Sequence, residues 1–219
     1  MRNLIAGAFV SLDGVMQAPG GPEEDPTGGF DLGGWTTTYW DDVMDEAAGE
    51  IYGRPFDLLL GRKTYEIFAA HWPYSDEQPI ADQLNGARKY VATRGSEPLT
   101  WANSVAIHDA AKDVARLKRE DGPDLMTQGS SDLLRTLFAH DLVDQLNLLI
   151  FPVVLGKGKR LFESGAAPGA FTLSESKVAT TGVIIAAYRR AGEVPTGSFA
   201  LDEPTEAELK RREKLQAEA

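Results

Sequence analysis

The chain has 219 residues, of which 42% are hydrophobic, and this suits one globular domain with a substantial core. The absence of cysteine excludes disulfides and thiolate metal sites, and the three histidines have no metal-ligand spacing. A formal net charge of −11 would repel a phosphate backbone, so a nucleic-acid partner is not expected. No apolar run reaches the roughly 18 residues of a membrane span and no secretion signal is visible, so the sequence predicts a cytoplasmic protein.

The first predicted element is a buried strand over residues 3–10 that ends at Ser11-Leu12-Asp13-Gly14. Asp13 lies at the exit of this strand. Its carboxylate either accepts hydrogen bonds from nearby backbone N–H groups in a turn or meets a ligand at the mouth of a pocket.

Residues 17–35 form a segment rich in Gly and Pro without periodicity, which is typical of a lid, a binding loop or a disordered segment. We interpret residues 17–35 as a lid. Three aromatic residues follow at its end: Trp35, Tyr39 and Trp40. They either close over a flat ligand or anchor the loop in the core.

Residues 41–52 have the pattern of an amphipathic helix opened by two acids. At about 100° per residue, Asp45 projects roughly 20° beyond the edge of the apolar arc. Partial burial would let this carboxyl hold or relay a proton, whereas full solvation would leave it an ordinary surface acid.

Three predicted strands end in residues that can bind phosphate. The strand over 55–60 leads into Gly61-Arg62-Lys63-Thr64 at the start of a helix, and the strand over 89–93 leads into Arg94-Gly95. A third strand, from Leu125, leads into Gln128-Gly129-Ser130 and a helix capped by Ser130 or Ser131. Helix N-termini and basic side chains stabilise phosphates, although each turn alone could be an ordinary solvated one. Their recurrence predicts a nucleotide laid across the sheet.

The remaining pattern completes an α/β fold. A strand over 104–107, a helix over 110–119 and a long apolar strand containing Pro152 precede a predicted hairpin over 170–177 and 181–190. Pro152 implies a bulge or an edge position, since it cannot donate to a ladder. The order predicts a mainly parallel central sheet with helices on both faces and an antiparallel C-terminal hairpin at the edge. We expect one domain over residues 1–201 and a charged, exposed tail over 202–219.

Several of these motifs together resemble the dihydrofolate reductase-like superfamily. They are Ser11-Leu12-Asp13-Gly14, Leu60-Gly61-Arg62-Lys63-Thr64-Tyr65-Glu66, Lys89-Tyr90-Val91-Ala92-Thr93-Arg94, Gln128-Gly129-Ser130 and Pro152-Val153-Val154-Leu155-Gly156. The chain is most similar to the reductase C-terminal domain of the bacterial bifunctional riboflavin deaminase-reductase and its stand-alone relatives. The similarity runs from about residue 2 to residue 191.

This resemblance implies an NADPH-dependent reductase fold. The implied contacts to cofactor phosphate are Gly61, Arg62, Lys63 and Thr64; those to the adenosine 2′-phosphate are Thr93 and Arg94; and those to the pyrophosphate are Gly129 and Ser130. By the same analogy the nicotinamide lies near residues 6–10 and Asp13, and substrate lies between the lid and the helix that bears Asp45. Asp45, Asp13 or a bound water is then the expected proton donor.

The expected reaction is hydride transfer from NADPH to a C=N or C=O bond of a small heterocyclic substrate. The resemblance also allows the riboflavin-pathway reduction of 5-amino-6-(5-phosphoribosylamino)uracil as an alternative, which predicts a second phosphate site at Lys157, Lys159 and Arg160. Dihydrofolate reduction and nucleotide binding without turnover are further alternatives. A homodimer formed through an edge strand is expected by analogy.

Overall fold

The computed structural model describes residues 1–163 and 166–218, in which helices separate most of the strands as far as β6 and a strand hairpin follows. The strands are β1 (Leu4–Ser11), β2 (Phe56–Gly61), β3 (Lys89–Ala92), β4 (Ser104–Ile107), β5 (Asp124–Gln128), β6 (Gln145–Phe151), β7 (Phe171–Val178) and β8 (Ile184–Arg190). The helices are α1 (Asp42–Tyr52), α2 (Arg62–His71), α3 (Ile80–Gly86), α4 (Ala110–Arg119), α5 (Ser131–Ala139) and α6 (Glu206–Glu218).

One mixed sheet joins the strands in the order β4-β3-β2-β5-β1-β6-β8-β7. The strands from β4 to β6 in this order are parallel, whereas β8 pairs antiparallel with β6 and β7 pairs antiparallel with β8. The α/β fold class, the mainly parallel sheet and the C-terminal hairpin at its edge are therefore confirmed.

Helices cover both faces of the sheet because neighbouring strand residues point to opposite sides. In β2, Leu59 belongs to the core under α4 and α5, whereas Leu58 and Leu60 belong to the core under α2 and α3. The predicted apolar face of α5 is buried through Leu133, Leu134 and Leu137. The lid residues and α1 complete the second face around Phe151 and Met44.

Two local predictions need correction. Pro152 occupies neither a bulge nor an edge, because β6 ends at Phe151 and the proline lies just beyond it. The helix α3 was not predicted from the sequence, since its seven residues are too few to show a clear period.

The charged tail forms α6, which has no buried residue.

Candidate active site

A cleft of about 1480 Å³ opens along the carboxyl ends of β1, β2, β3 and β5. Parallel strands end at the same edge of a sheet, where such folds bind ligands. The cleft therefore brings together all three of the predicted phosphate-compatible turns. Its wall includes Gly61, Arg62, Lys63, Thr64, Thr93, Arg94, Gly129 and Ser130.

The turns after β2 and β5 are tied to each other through Ser130. Its Oγ accepts a hydrogen bond from the backbone N–H of Gly61 at 3.0 Å and donates to Thr64 Oγ1 at 2.9 Å. A Cβ on Gly61 would lie 3.3 Å from the Ser130 side chain, so the glycine permits this close approach. The Ser130 hydroxyl thus holds two turns together and makes no capping hydrogen bond to α5.

The first turn of α5 is available to an anion. Gly129 and Ser130 both have φ of 66°, a left-handed pair that leads into the helix. Among the described residues, no protein acceptor bonds to the backbone N–H groups of Ser131, Asp132 and Leu133. Unpaired N–H groups and the positive end of the helix dipole suit a phosphate or pyrophosphate.

The basic residues of the cleft differ in how strongly they are held. Arg62 is committed to neighbours, because its Nε donates to Glu66 at 2.6 Å and its guanidinium donates to the Glu97 carbonyl at 3.0 Å. Lys63 and Arg94 are exposed on the cleft wall and have no ion pair or hydrogen bond within the described part of the chain. These two side chains can turn toward a ligand without breaking a contact.

Thr93 shapes the turn after β3. It is buried, its Oγ1 accepts from the Gly95 N–H at 3.1 Å, and its carbonyl lies 3.0 Å from His108 Nδ1. These contacts fix the backbone from which Arg94 projects.

The three aromatic residues at the end of the lid lie in two different environments. Trp35 is buried against Phe151, with ring centroids 5.3 Å apart, and Tyr39 packs on the same ring at 6.1 Å. Trp40 is 40% exposed, lines the cleft and lies 6.0 Å from the ring of Phe9. Trp35 and Tyr39 therefore anchor the lid, and Trp40 faces the cleft.

Gln17 fixes the lid in place, a role that the sequence did not reveal. This buried amide donates to the carbonyls of Asp25 and Thr27 at 2.9 and 2.8 Å and accepts from the Lys159 N–H at 3.0 Å. It joins the start and the middle of the lid to the turn after β6. No pattern marks such a residue, since its partners are distant backbone groups.

Asp13 lies outside the cleft wall. Its carboxylate accepts from the Ser11 hydroxyl at 2.6 Å and from the N–H groups of Leu155 and Gly156 at 3.0 and 2.8 Å. These hydrogen bonds hold the pKa of Asp13 well below its usual range, and the bond from the Ser11 hydroxyl has the largest effect, followed by that from the Leu155 N–H. Asp13 is therefore ionised at neutral pH and holds the turn after β6, and its contact with a ligand stays a prediction.

Asp45 also lies outside the cleft wall, on the exposed side of α1. Its Oδ1 accepts a hydrogen bond from the indole Nε1 of Trp40 at 2.6 Å. The surface-acid interpretation fits this exposure, and the carboxylate orients a ring that does face the cleft.

Glu24 is a cleft carboxyl that sequence reasoning missed, because it lies among charged loop residues that look solvated. It is half-buried, and its Oε2 accepts from the Gly20 N–H at 2.6 Å. Burial raises the pKa of Glu24 above its usual value. It is therefore an acid that can carry a proton closer to neutral pH than an ordinary glutamate does.

Within residues 1–163 and 166–218, no group of three or more His, Asp or Glu side chains is placed to hold a metal. None of the helices described there has the length and apolar character needed to cross a membrane.

Two proteins of Bacillus subtilis strain 168, both described as uncharacterized, are similar in sequence. YyaP is 27% identical over 168 residues, covering 74% of this chain and 80% of its own. YwjB is 28% identical over 165 residues, covering 74% and 83%.

Solved structures share the fold at low identity. A putative riboflavin biosynthesis protein from Shewanella sp. PV-4 superposes with a TM-score of 0.62 at 17% identity, covering 86% of this chain and 99% of its own. Dihydrofolate reductase from Enterococcus faecalis, complexed with NADP(H) and RAB-propyl, has a TM-score of 0.57 at 16% identity, covering 86% and 96%. A pyrimidine reductase-like protein from Corynebacterium diphtheriae has a TM-score of 0.56 at 12% identity, covering 88% and 93%.

The resemblance stated from the motifs is confirmed over most of the sequence. The family model described as the RibD C-terminal domain matches residues 2–185, which include the cleft and the strands around it. The chain belongs to the RibD C-terminal domain family.

Proposed function

We propose that this protein is an NADPH-dependent reductase that transfers a hydride to a C=N or C=O bond of a small heterocyclic substrate. The single observation that carries the proposal is one continuous cleft with two chemically different ends. One end has the α5 N-terminus, Lys63 and Arg94; the other lies under the lid and between α1 and α2. The neighbour from Enterococcus faecalis is complexed with NADP(H), which supports this dinucleotide as the cofactor.

The residues at the first end fit the phosphates of a dinucleotide. The free N–H groups of Ser131 to Leu133 would receive the pyrophosphate, and Ser130, Gly61 and Thr64 would keep the two flanking turns in position. Arg94, exposed and unpaired among the described residues, would bind the ribose 2′-phosphate. When bound, NADPH would supply the hydride and leave as the oxidised cofactor.

The residues at the second end orient substrate and exclude water. Apolar groups of α1 and α2 line it, among them Ile51, Ile67 and Phe68, and Trp40 stands at its rim. Glu24 is the cleft acid whose pKa is raised, so we assign it the proton that the receiving nitrogen or oxygen takes up. Asp45 would act indirectly, by holding Trp40.

Titration of the purified protein with NADPH and with NADH, followed by tryptophan fluorescence, tests the proposal. Trp40 and Trp72 both line the cleft, so a bound nicotinamide should quench them. We expect micromolar binding that favours NADPH, followed by NADPH oxidation when heterocyclic substrates are added. Binding of neither dinucleotide would overturn the proposal, and tight binding with no turnover across the panel would favour nucleotide binding without catalysis.

A further inference from the structure

We infer that the substrate is a flat nitrogen heterocycle that carries no phosphate group. The inference rests on the proposed function, because it assigns the end of the cleft under the lid to substrate. It departs from the riboflavin-pathway reaction, whose substrate bears a phosphate.

The cations that could bind a substrate phosphate are already paired with acids. Lys159 forms an ion pair with Asp25 and also donates to Thr27 Oγ1 at 3.0 Å. The Lys157 Nζ lies 3.2 Å from Asp31 Oδ1, and the Arg160 Nη2 lies 3.4 Å from Asp13 Oδ2. Of these three cations only Lys159 reaches the cleft wall, and its partner Asp25 is on that wall as well.

The same end of the cleft is acidic. Glu24, Asp25 and Glu77 contribute carboxyl groups to the wall, and the single lysine among them is Lys159. His71, also on the wall, has its Nε2 3.9 Å from Glu77. A phosphate placed here would face carboxylates and would have to separate Lys159 from Asp25, which makes its transfer from water unfavourable.

The remaining surface suits a planar ring with N–H donors. Apolar side chains of Ile51, Ile67 and Phe68 can contact the faces and edges of a ring, and the Trp40 indole closes the rim. The Glu24 carboxyl accepts the Gly20 N–H through Oε2, and as a half-buried acid on the cleft wall it can also accept a ring N–H or carry the proton of the reduction. Burial raises the pKa of Glu24, which agrees with a role in carrying the proton of the reduction.

Two matched ligand pairs test the inference, riboflavin with FMN and uridine with UMP, because the members of each pair differ by one phosphate. Binding is measured with saturating NADP⁺ present, so that the cofactor end is filled and no hydride is available. We expect at least one unphosphorylated member to bind, and to bind about tenfold or more tightly than its phosphorylated partner.

The variant Asp25→Asn makes the test specific, since it releases the charge of Lys159 into the cleft. We expect it to reduce the preference for the unphosphorylated member by about tenfold, as a new charge-assisted contact to phosphate would. Asp31→Asn is the matched control: it removes the partner of Lys157, which is not on the cleft wall, so the preference should not change.

Tighter binding of FMN or UMP to the unaltered protein would overturn the inference, as would binding of no unphosphorylated member or an equal response to both variants. The proposed function is judged separately, by whether NADP⁺ and NADPH quench the cleft tryptophans. If NADP⁺ and NADPH bind but the protein prefers the phosphorylated member of each ligand pair, the proposed function stands and only the inferred substrate class is wrong.

Discussion

Arg62 and Arg94 follow neighbouring strands and line one cleft, yet their surroundings give them different capacities. Glu66 and the Glu97 carbonyl hold Arg62, whereas Arg94 projects from the fixed Thr93 turn with no partner among the described residues. An arginine that is already bonded gains little from a ligand, because the new contact replaces an old one. Arg94 is therefore the better candidate to bind a 2′-phosphate.

The substitution Arg94→Ala should weaken NADPH binding by about 1–3 kcal/mol, through loss of a charge-assisted contact, and should hardly affect NADH. Parallel fluorescence titrations with the two dinucleotides measure this. Arg116→Ala serves as the control, since Arg116 lies on α4 away from the cleft wall and pairs with Glu120, the residue after the helix. Equal weakening of both dinucleotides by Arg94→Ala would contradict the 2′-phosphate role.

Lys89 is a fully buried cation outside the cleft. Its Nζ donates to the Asn85 carbonyl at 2.6 Å and lies 4.1 Å from the centre of the Trp101 ring, and burial lowers its pKa from 10.5 to about 8. Between pH 8 and pH 10.5 the Lys89 amine is therefore mostly protonated in the unfolded chain and mostly neutral in the folded protein. The Lys89 contribution to stability therefore becomes more favourable as pH rises through that window.

Replacing Lys89 by Met removes this titration. We expect the free energy of unfolding of the variant, relative to the unaltered protein, to fall by up to about 3 kcal/mol between pH 8 and pH 10.5. Urea unfolding at several pH values provides the measurement, with the exposed Lys214→Met as the control. A relative stability that does not depend on pH would show that Lys89 titrates normally in the folded protein.

At the level of elements, the cleft depends on where strands end and helices begin. Periodicity and glycine placement predicted β1, β2, β3, β5 and the helices after the second and the fifth strand, because those signals are local. The Ser130 bridge to Gly61 and Thr64 joins residues far apart in sequence, so no local pattern could predict it. Glu24 was missed for the same reason: its burial depends on how the lid lies against the rest of the fold.

Gly129→Ala tests the turn before α5. A Cβ there would have room, with Met16 Cε nearest at 3.9 Å, but a φ of 66° is strained by about 1–2 kcal/mol for a residue with a side chain. Relaxation of the turn would move the α5 N–H groups, so NADPH and NADH should be weakened alike, unlike the selective effect expected for Arg94→Ala. The same titrations check it.

Gly49→Ala is the matched glycine substitution. Gly49 lies inside α1, has no atom within 4 Å of the added Cβ and does not have a positive φ. Alanine should therefore stabilise the helix by up to about 1 kcal/mol and leave dinucleotide binding unchanged. A loss of NADPH affinity in Gly49→Ala as large as in Gly129→Ala would show that the binding defect is not specific to the turn.

For the molecule as a whole, the sheet could be predicted and the substrate chemistry could not. The order of elements determines which strand ends meet, and the three phosphate-compatible turns do share one cleft wall. Lys157, Lys159 and Arg160 form a basic cluster in the sequence, and only the fold shows that each has an acidic partner far along the chain. A homodimer stays a prediction, for which β7 and β4 are the edge strands of the described sheet.

The boundary between a domain over residues 1–201 and a tail over 202–219 also stays a prediction, and truncation after Leu201 tests it. The helix α6 buries no residue, and its ion pairs, such as that of Glu208 with Arg211 and Arg212, lie within the helix itself. Exposed pairs of this kind contribute little, so the truncated protein should keep its free energy of unfolding to within about 0.5 kcal/mol and its affinity for NADPH. Urea unfolding and the fluorescence titration, run on both lengths of chain, make the comparison. A loss of affinity on truncation would mean that the tail reaches the cleft or orders the lid in solution, and the site would then have to be redrawn to include it.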